Sequence, residues 1–572
     1  MQPEYIEQIL AGAKHIHLTD DEIAAHHDNV LIGFTLARAK AHLGLCHICN
    51  MRAVELEEGQ KFFDEHIIAE APASHADTEF VPPGHTSLTR GLSIAVLPPE
   101  KININTSGGV LTFALLDQVT ARLSENNQFG DMQFDVRSLS AVLNARSPFS
   151  NPIAVGKELA VDRVLTIKDV RRDEQNISFT TRLIDVGADK ASKTGRSGDE
   201  HIFERWLQGV NLKLTKAVQK RLLELDAAAP SASTKYTLGR FYLHKFSGSG
   251  LERAIGCFTD AIELDKNFAE AYSGLADCYV MEGIYNIAPP ATSFGLGLSY
   301  AKKALDKNPG LTEVHASQAY TYMCYERDWG RAKDGFEKAI ELNSTNAFAY
   351  QGWAHLHGAL GEFTEAMRKI DRALAIDPVS PMIYIVRAFI LYYAGCNAEA
   401  DWSFLRKARE QCLQALRLNR RFDPAWYIRA LICVQLALFC RRVGRLDEAE
   451  EYFKEAEEAA KKARDYTKRN AQKQATLTFI YFLWGKEDEA LQALAGLNEA
   501  LNKDSYISPY HMALVHIARN QSDDAIKCLK QALNVRDQWM ILLRFEPAFK
   551  VLHGDERFKE LIRELRFPPS LK

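Results

Sequence analysis

From about Ser231 to the end of the chain, apolar residues return at helical spacing in a fixed rhythm of alanine, a large apolar residue and alanine. Ala332, Phe336 and Ala339, followed by Ser344, recur 34 residues later as Ala366, Ile370, Ala373 and Pro378. The same rhythm stands at Ala254, Phe258, Ala261 and at Ala525, Leu529, Ala532. Residues at i, i+4 and i+7 share one helix face, so the pattern predicts pairs of helices that cross closely at the alanines, each large residue reaching toward the neighbouring pair. Insertions around Gly283–Gly297, Gly395–Phe404 and Ala456–Gln474 predict irregular turns of the resulting α-α superhelix. Upstream the period changes. Ser93–Pro98 (SIAVLP) is a short apolar run expected to form a buried strand, Leu111–Leu123 has helical spacing, and Met132–Val136 alternates like a strand. Ala154–Leu159 starts a second helix, VDRVLTIKDVR and NISFTTRLIDV read as strands around the polar turn Arg171–Gln175, and a last helix is expected over Glu204–Leu223. Strand and helix alternation of this kind implies an α/β sandwich.

The first 66 residues carry the side chains with chemistry. His42, Cys46 and Cys49 stand at i, i+4 and i+7, within roughly 60° of arc on a helix. Three soft ligands on one face suit Zn2+, which in a closed site takes four nitrogen or sulfur ligands. His17 is the expected fourth, placed just before Thr19-Asp20-Asp21-Glu22, a capping box that starts a helix. His15, His26, His27 and His47 crowd the same segment, and His26 is the alternative to His17. A Cys46–Cys49 disulfide formed on loss of zinc would make a redox switch.

Three stretches resemble known families. Residues 10–66, with His17, His42, Cys46 and Cys49, resemble the zinc-binding anti-sigma domain of bacteria. That resemblance implies a metal-stapled helical bundle that wraps an extracytoplasmic-function sigma factor and blocks its access to RNA polymerase. SIAVLP, GKELAVDRVL and ISFTTRLIDV resemble the amino-terminal domain of the TolB type, with Ser107-Gly108-Gly109-Val110 departing from that pattern. The 34-residue period, GLERAIGCFTDAIELDKNFAEAYSGLADCY and GEFTEAMRKIDRALAIDP resemble tetratricopeptide repeats. The segment YISPYHMALVHIARNQSDDAIKCLKQAL, ending in DERFKEL, resembles the closing part of chains that join the last two modules.

The expected organisation is therefore multidomain and mostly α: a small zinc-stapled helical domain over 1–66, a linker over 67–92, where Pro, Gly, Ser and Thr collect, an α/β domain over 93–228, and a repeat superhelix over 231–572. A length of 572 residues, 47% hydrophobic and 25% charged residues are those of globular protein. The net charge of −4 leaves no electrostatic footprint for direct nucleic-acid contact. Ten thinly spread cysteines suggest a reducing cytoplasm. Met1–Leu10 lacks the basic start of a signal peptide. The longest apolar run, Ala430–Cys440, is short of the ~20 residues that cross a bilayer and reads as a buried helix.

The expected function is a cytoplasmic zinc-binding regulator of anti-sigma type, with the repeat groove taking a protein or peptide. The alternative is an interaction scaffold whose zinc knot is only structural. Catalysis is not expected, because four ligands close the metal site and no Walker loop, nucleophile elbow or kinase set is present. A phosphate held at Ser107-Gly108-Gly109 would need the lysine of a P-loop, which is missing, so a plain strand-to-helix turn is expected there. Most Trp, Tyr and His residues of the array, His355 and His357 included, are expected to be packing or surface residues.

Overall fold

The structure is a computed structural model that describes residues 93–568 except 126–127, 130–131, 134, 148, 173–176, 188–215, 226–230, 245–247, 286, 312–313, 398–401, 467–470 and 503–506. Ser93–Leu97 forms β1, buried along its whole length, and it is the strand around which the α/β part is built. The elements that follow are α1 (Ser107–Glu125), β2 (Gln128–Phe129), β3 (Met132–Gln133), β4 (Asp135–Val136), α2 (Leu139–Asn144), α3 (Pro152–Glu158), β5 (Arg163–Arg172), β6 (Ile177–Asp185) and α4 (Lys216–Leu223). The sheet order is β4-β1-β5-β6, with β4 and β5 parallel to β1 and β6 antiparallel to β5. An uninterrupted apolar run is what a central strand covered on both faces requires. Gly156 lets α3 close on the sheet, since a Cβ there would stand 2.5 Å from a Val186 methyl and 2.9 Å from a Val164 methyl.

Three details depart from the sequence pattern. The strand expected over Met132–Val136 is broken. Met132–Gln133 pairs back on Gln128–Phe129, and only Asp135–Val136 joins the main sheet. Helix α2, capped by the Ser138 hydroxyl accepting from the Ala141 N–H, spans under two turns, too few for a helical period to register. The turn expected from Arg171 begins later, because Arg171 and Arg172 still pair with Ser178 and Ile177.

The rest is a row of helical hairpins. Their first and second helices are α5 (Ala232–His244) and α6 (Gly248–Leu264), α7 (Ala269–Ile284) and α8 (Pro290–Lys307), α9 (Val314–Thr321) and α10 (Trp329–Leu342), α11 (Ala347–Leu360) and α12 (Phe363–Ile376). They continue as α13 (Pro381–Asn397) and α14 (Ser403–Leu418), α15 (Asp423–Arg442) and α16 (Leu446–Asp465), α17 (Ala471–Trp484) and α18 (Glu487–Asn502), α19 (Pro509–Ala518) and α20 (Ser522–Asn534). Every alanine and large residue of the rhythm named above is buried on a second helix. Phe258 shows why the spacing works. Its ring lies over Gly239 of its own hairpin and Gly274 of the next, and a Cβ on either glycine would come within 2.6 Å of it. Part of the extra length in the stretched repeats goes into longer helices, α15 and α16 reaching 20 residues each. Among the described residues α15 is long and apolar enough to cross a membrane, yet it lies mostly buried between its neighbours, as a core helix does.

The α/β part is fastened to this row at several places, among them a pair between Arg221 of α4 and Glu270 of α7. At the first hairpin Phe113 meets Phe241 edge to face at 5.4 Å, Arg240 pairs with Asp117 at 3.0 Å, and Ser140 and Asn144 donate to the His244 carbonyl. At the end of α12, Arg372 grips Asp135, and the Ser138 hydroxyl donates to Asp377 at 3.1 Å. A short segment follows α20, with 3-10 turns at Gln538–Leu542 and Pro547–Leu552 and helix α21 (Glu556–Glu564).

Candidate functional site

First helices of successive hairpins touch one another from α5 to α15, and again between α17 and α19, whereas among the described residues second helices make no comparable contacts. The first helices therefore line the concave side, the surface that repeat superhelices offer to ligands. In this chain the C-terminal segment lies against that side. Trp539 meets Phe389 of α13 at 5.7 Å, Tyr427 of α15 at 6.0 Å and His511 of α19 at 5.2 Å between ring centroids. Phe545 packs on Phe363 and over Gly361, and Lys550 donates to the Cys396 carbonyl at the end of α13. Met540, Ile541, Leu542, Leu543, Phe549 and Leu552 are all buried there. A cavity of about 20 Å³, bounded by His355, Phe363, Phe389, Tyr393 and Leu542, has room for about one water.

The segment reaches back to the third hairpin. Tyr322–Glu326 forms a π-turn after α9, and Arg327 ends it in the left-handed region at φ 57°, so that its guanidinium donates to the Leu533 carbonyl. Burial lowers that guanidinium to about 10 despite the nearby Asp537. The Trp329 indole donates to the Leu565 carbonyl at 3.2 Å and stacks on Phe567 at 5.0 Å.

Two carboxyls of the segment are buried in this seam. Asp537 accepts from the Ser508 hydroxyl and from the Trp539 N–H at 3.0 Å, and burial pushes it up to about 6 against those bonds. Glu546 accepts from the Ala548 N–H at 3.3 Å, capping the second 3-10 turn, and from the hydroxyls of Tyr393 and Tyr510 at 3.4 Å each. Burial pushes it up to about 7. His511, which contacts the Tyr427 hydroxyl and Gln472 at 2.8 Å, is held neutral by burial, which lowers its pKa to about 3.

The four residues expected to hold zinc, His17, His42, Cys46 and Cys49, lie outside the described residues, as does the linker 67–92. Among the described residues no three His, Cys, Asp or Glu side chains are grouped to hold a metal ion. The described cysteines are thiols, half-buried or buried, and burial makes those that shift harder to ionise. At Ser107-Gly108-Gly109 the Thr106 hydroxyl accepts from the Gly109 N–H, and a Cβ on Gly109 would collide with the Asn103 carbonyl. Close backbone approach at a helix start accounts for this glycine. His357 is buried with Nδ1 2.6 Å from Glu362, and His355 lines the small cavity, both packing roles as expected. The covering of the concave side was not readable from the sequence, because its contacts join residues as far apart in the chain as Trp329 and Phe567.

Residues 430–462, from the middle of α15 to near the end of α16, match the tetratricopeptide repeat family. The array carries a tetratricopeptide repeat. Solved structures similar to this chain include the human IFIT1 dimer with m7Gppp-AAAA, 17% identical over 65% of this chain and 79% of that one, TM-score 0.39. Others are the pilF protein of Pseudomonas aeruginosa, 16% identical over 40% and 92%, TM-score 0.27, and a tetratricopeptide repeat protein from Parabacteroides merdae, 14% identical over 52% and 98%, TM-score 0.31. No curated protein matches the chain.

Proposed function

We infer that this chain is a protein-interaction scaffold of regulatory type. The observation that carries the reading is the row of helical hairpins with its tetratricopeptide match, since such arrays present large continuous surfaces to proteins and peptides. The central concave surface is occupied by the chain's own C-terminal segment. A partner therefore meets the remaining surfaces, or meets the concave side only when that segment lifts.

The finer reading places an effector in residues 1–66. The spacing of His17, His42, Cys46 and Cys49 supports a closed zinc site there, and its likeness to zinc-binding anti-sigma domains supports an extracytoplasmic-function sigma factor as the partner held in the cytoplasm. Metal binding in so small a module would supply folding energy, roughly 10–16 kcal/mol for structural zinc in short peptides. The array then adds a second protein-binding surface. No catalytic role, direct nucleic-acid contact or membrane span is part of this proposal.

The test is purification of the full chain from its own host under reducing conditions, beside a His42→Ala, Cys46→Ser, Cys49→Ser variant, with metal content and bound proteins measured together. About one zinc per chain and a sigma factor, both lost in the variant, support the regulator. A partner that stays on both forms assigns binding to the array and leaves the zinc module a structural staple.

A further inference from the structure

The carboxyl of Glu546 sits where the C-terminal segment crosses the concave side, 5% exposed as a residue, between hydroxyls supplied by two different hairpins. The groups that face it are Tyr392, Tyr393 and Cys396 of α13, Tyr427 of α15 and Tyr510 of α19, none of them a cation. On its own segment Lys550 donates to the Cys396 carbonyl, and Arg544 lies over the rings of Phe545 and Phe567. Asp537, the other buried carboxyl of the segment, adds negative charge near Tyr427 and Tyr510. His511, the imidazole nearby, is neutral. A carboxylate in such a place lacks the countercharge that makes ionisation tolerable away from water.

We propose that closure of the C-terminal segment over the concave side takes up a proton at Glu546, so that exposure of this side to a partner peptide increases as pH rises through neutrality. The sign follows from linkage. In the docked segment the carboxyl is pushed up to about 7, while a lifted segment in water returns it to the ordinary glutamate range. Between those two values the closed form binds a proton that the open form releases. Opening therefore rises with pH up to about 7 and levels off above it. Asp537 acts the same way at lower pH, being pushed up to about 6, so between pH 6 and 8 it adds only about a twofold rise. Over that interval Glu546 alone should raise the open fraction about tenfold. Because the segment also buries many apolar side chains, the change is a graded loosening and not an ejection.

The experiment is hydrogen exchange of the full chain at pH 6, 7 and 8, corrected for intrinsic amide rates and read on residues 538–565. The wild type should lose at least about tenfold in protection, most of it between pH 6 and 7, while Glu546→Gln keeps no more than the roughly twofold change due to Asp537. In Tyr393→Phe with Tyr510→Phe the midpoint should move upward, since the two hydroxyls donate to the carboxylate and favour ionisation. A flat wild-type profile, or the full wild-type slope kept in Glu546→Gln, overturns the proposal. Should Glu546→Gln not fold, a double tyrosine variant with an unmoved midpoint overturns it instead.

Discussion

Arg372 holds Asp135 through two parallel hydrogen bonds of 2.7 and 2.6 Å, joining the end strand β4 of the sheet to the second helix of the fourth hairpin. Both side chains are about a quarter exposed, so the pair is partly shielded from water and geometrically fixed. Arg372→Ala is expected to cost about 1–3 kcal/mol, and Arg372→Lys to recover little of it, because a point charge cannot make the paired bonds. A double-mutant cycle with Asp135→Ala, followed by urea unfolding, measures the coupling. A coupling near zero would remove this pair from the domain junction.

Gly361 ends α11 at φ 81°, and a Cβ added there would stand 2.6 Å from the Phe545 ring. Gly361→Ala meets both a left-handed backbone and a filled space, for an expected loss of about 2 kcal/mol or more. The loss should fall mainly on the C-terminal segment. Limited proteolysis with cleavage sites mapped by mass spectrometry would show new cuts between 538 and 565, and an unchanged pattern would count against the packing described.

Asp377 accepts from Ser138 at one fastening of the α/β part, and burial pushes its carboxyl up to about 6. A folded state that holds its proton more tightly than the unfolded chain is stabilised below the unfolded value near 4 and loses that stability as pH rises to about 6. The loss is on the order of 3 kcal/mol at most. Asp377→Asn should remove this component, seen as a smaller drop in unfolding midpoint between pH 4 and 6.5 than the wild type shows.

Glu455 behaves in the opposite sense. Burial alone would raise it, but bonds from Arg409 at 2.7 Å and Arg429 at 2.8 Å outweigh that and hold it at about 2. Its contribution is present above the ordinary glutamate value and is lost as pH falls toward 2. Glu455→Gln, which leaves two arginines facing each other in a half-buried tie among α14, α15 and α16, should cost about 3 kcal/mol at pH 7 and little at pH 2.5. Calorimetry of both forms at the two pH values decides it.

What the sequence announced were the features set by local period. Ala332, Phe336 and Ala339 recur because every second helix meets the same neighbours, and SIAVL reads as a covered strand because it is one. Short pieces escaped, as Leu139–Asn144 did, since six residues carry too little periodicity. The seam escaped for a different reason. Glu546 and Trp329 look like ordinary surface-prone and core-prone residues, and only the path of the chain brings one against Tyr393 and Tyr510 and the other against Leu565. Gly361 could be read as a helix-ending glycine, but nothing nearby in the chain names Phe545 as the group that fills the space beside it.

The bond from Trp329 to the Leu565 carbonyl has a consequence for how this chain could change over evolution. A solenoid with two loose ends resembles a ladder, which gains or sheds rungs at modest cost because each rung knows only its neighbours. Once the last turn has been hooked onto the third rung, the ladder has a circumference. Duplicating or deleting a single hairpin between α10 and α20 would carry the closing segment past its anchorage, so the number of hairpins within that loop is fixed by geometry as firmly as the number of blades in a closed propeller.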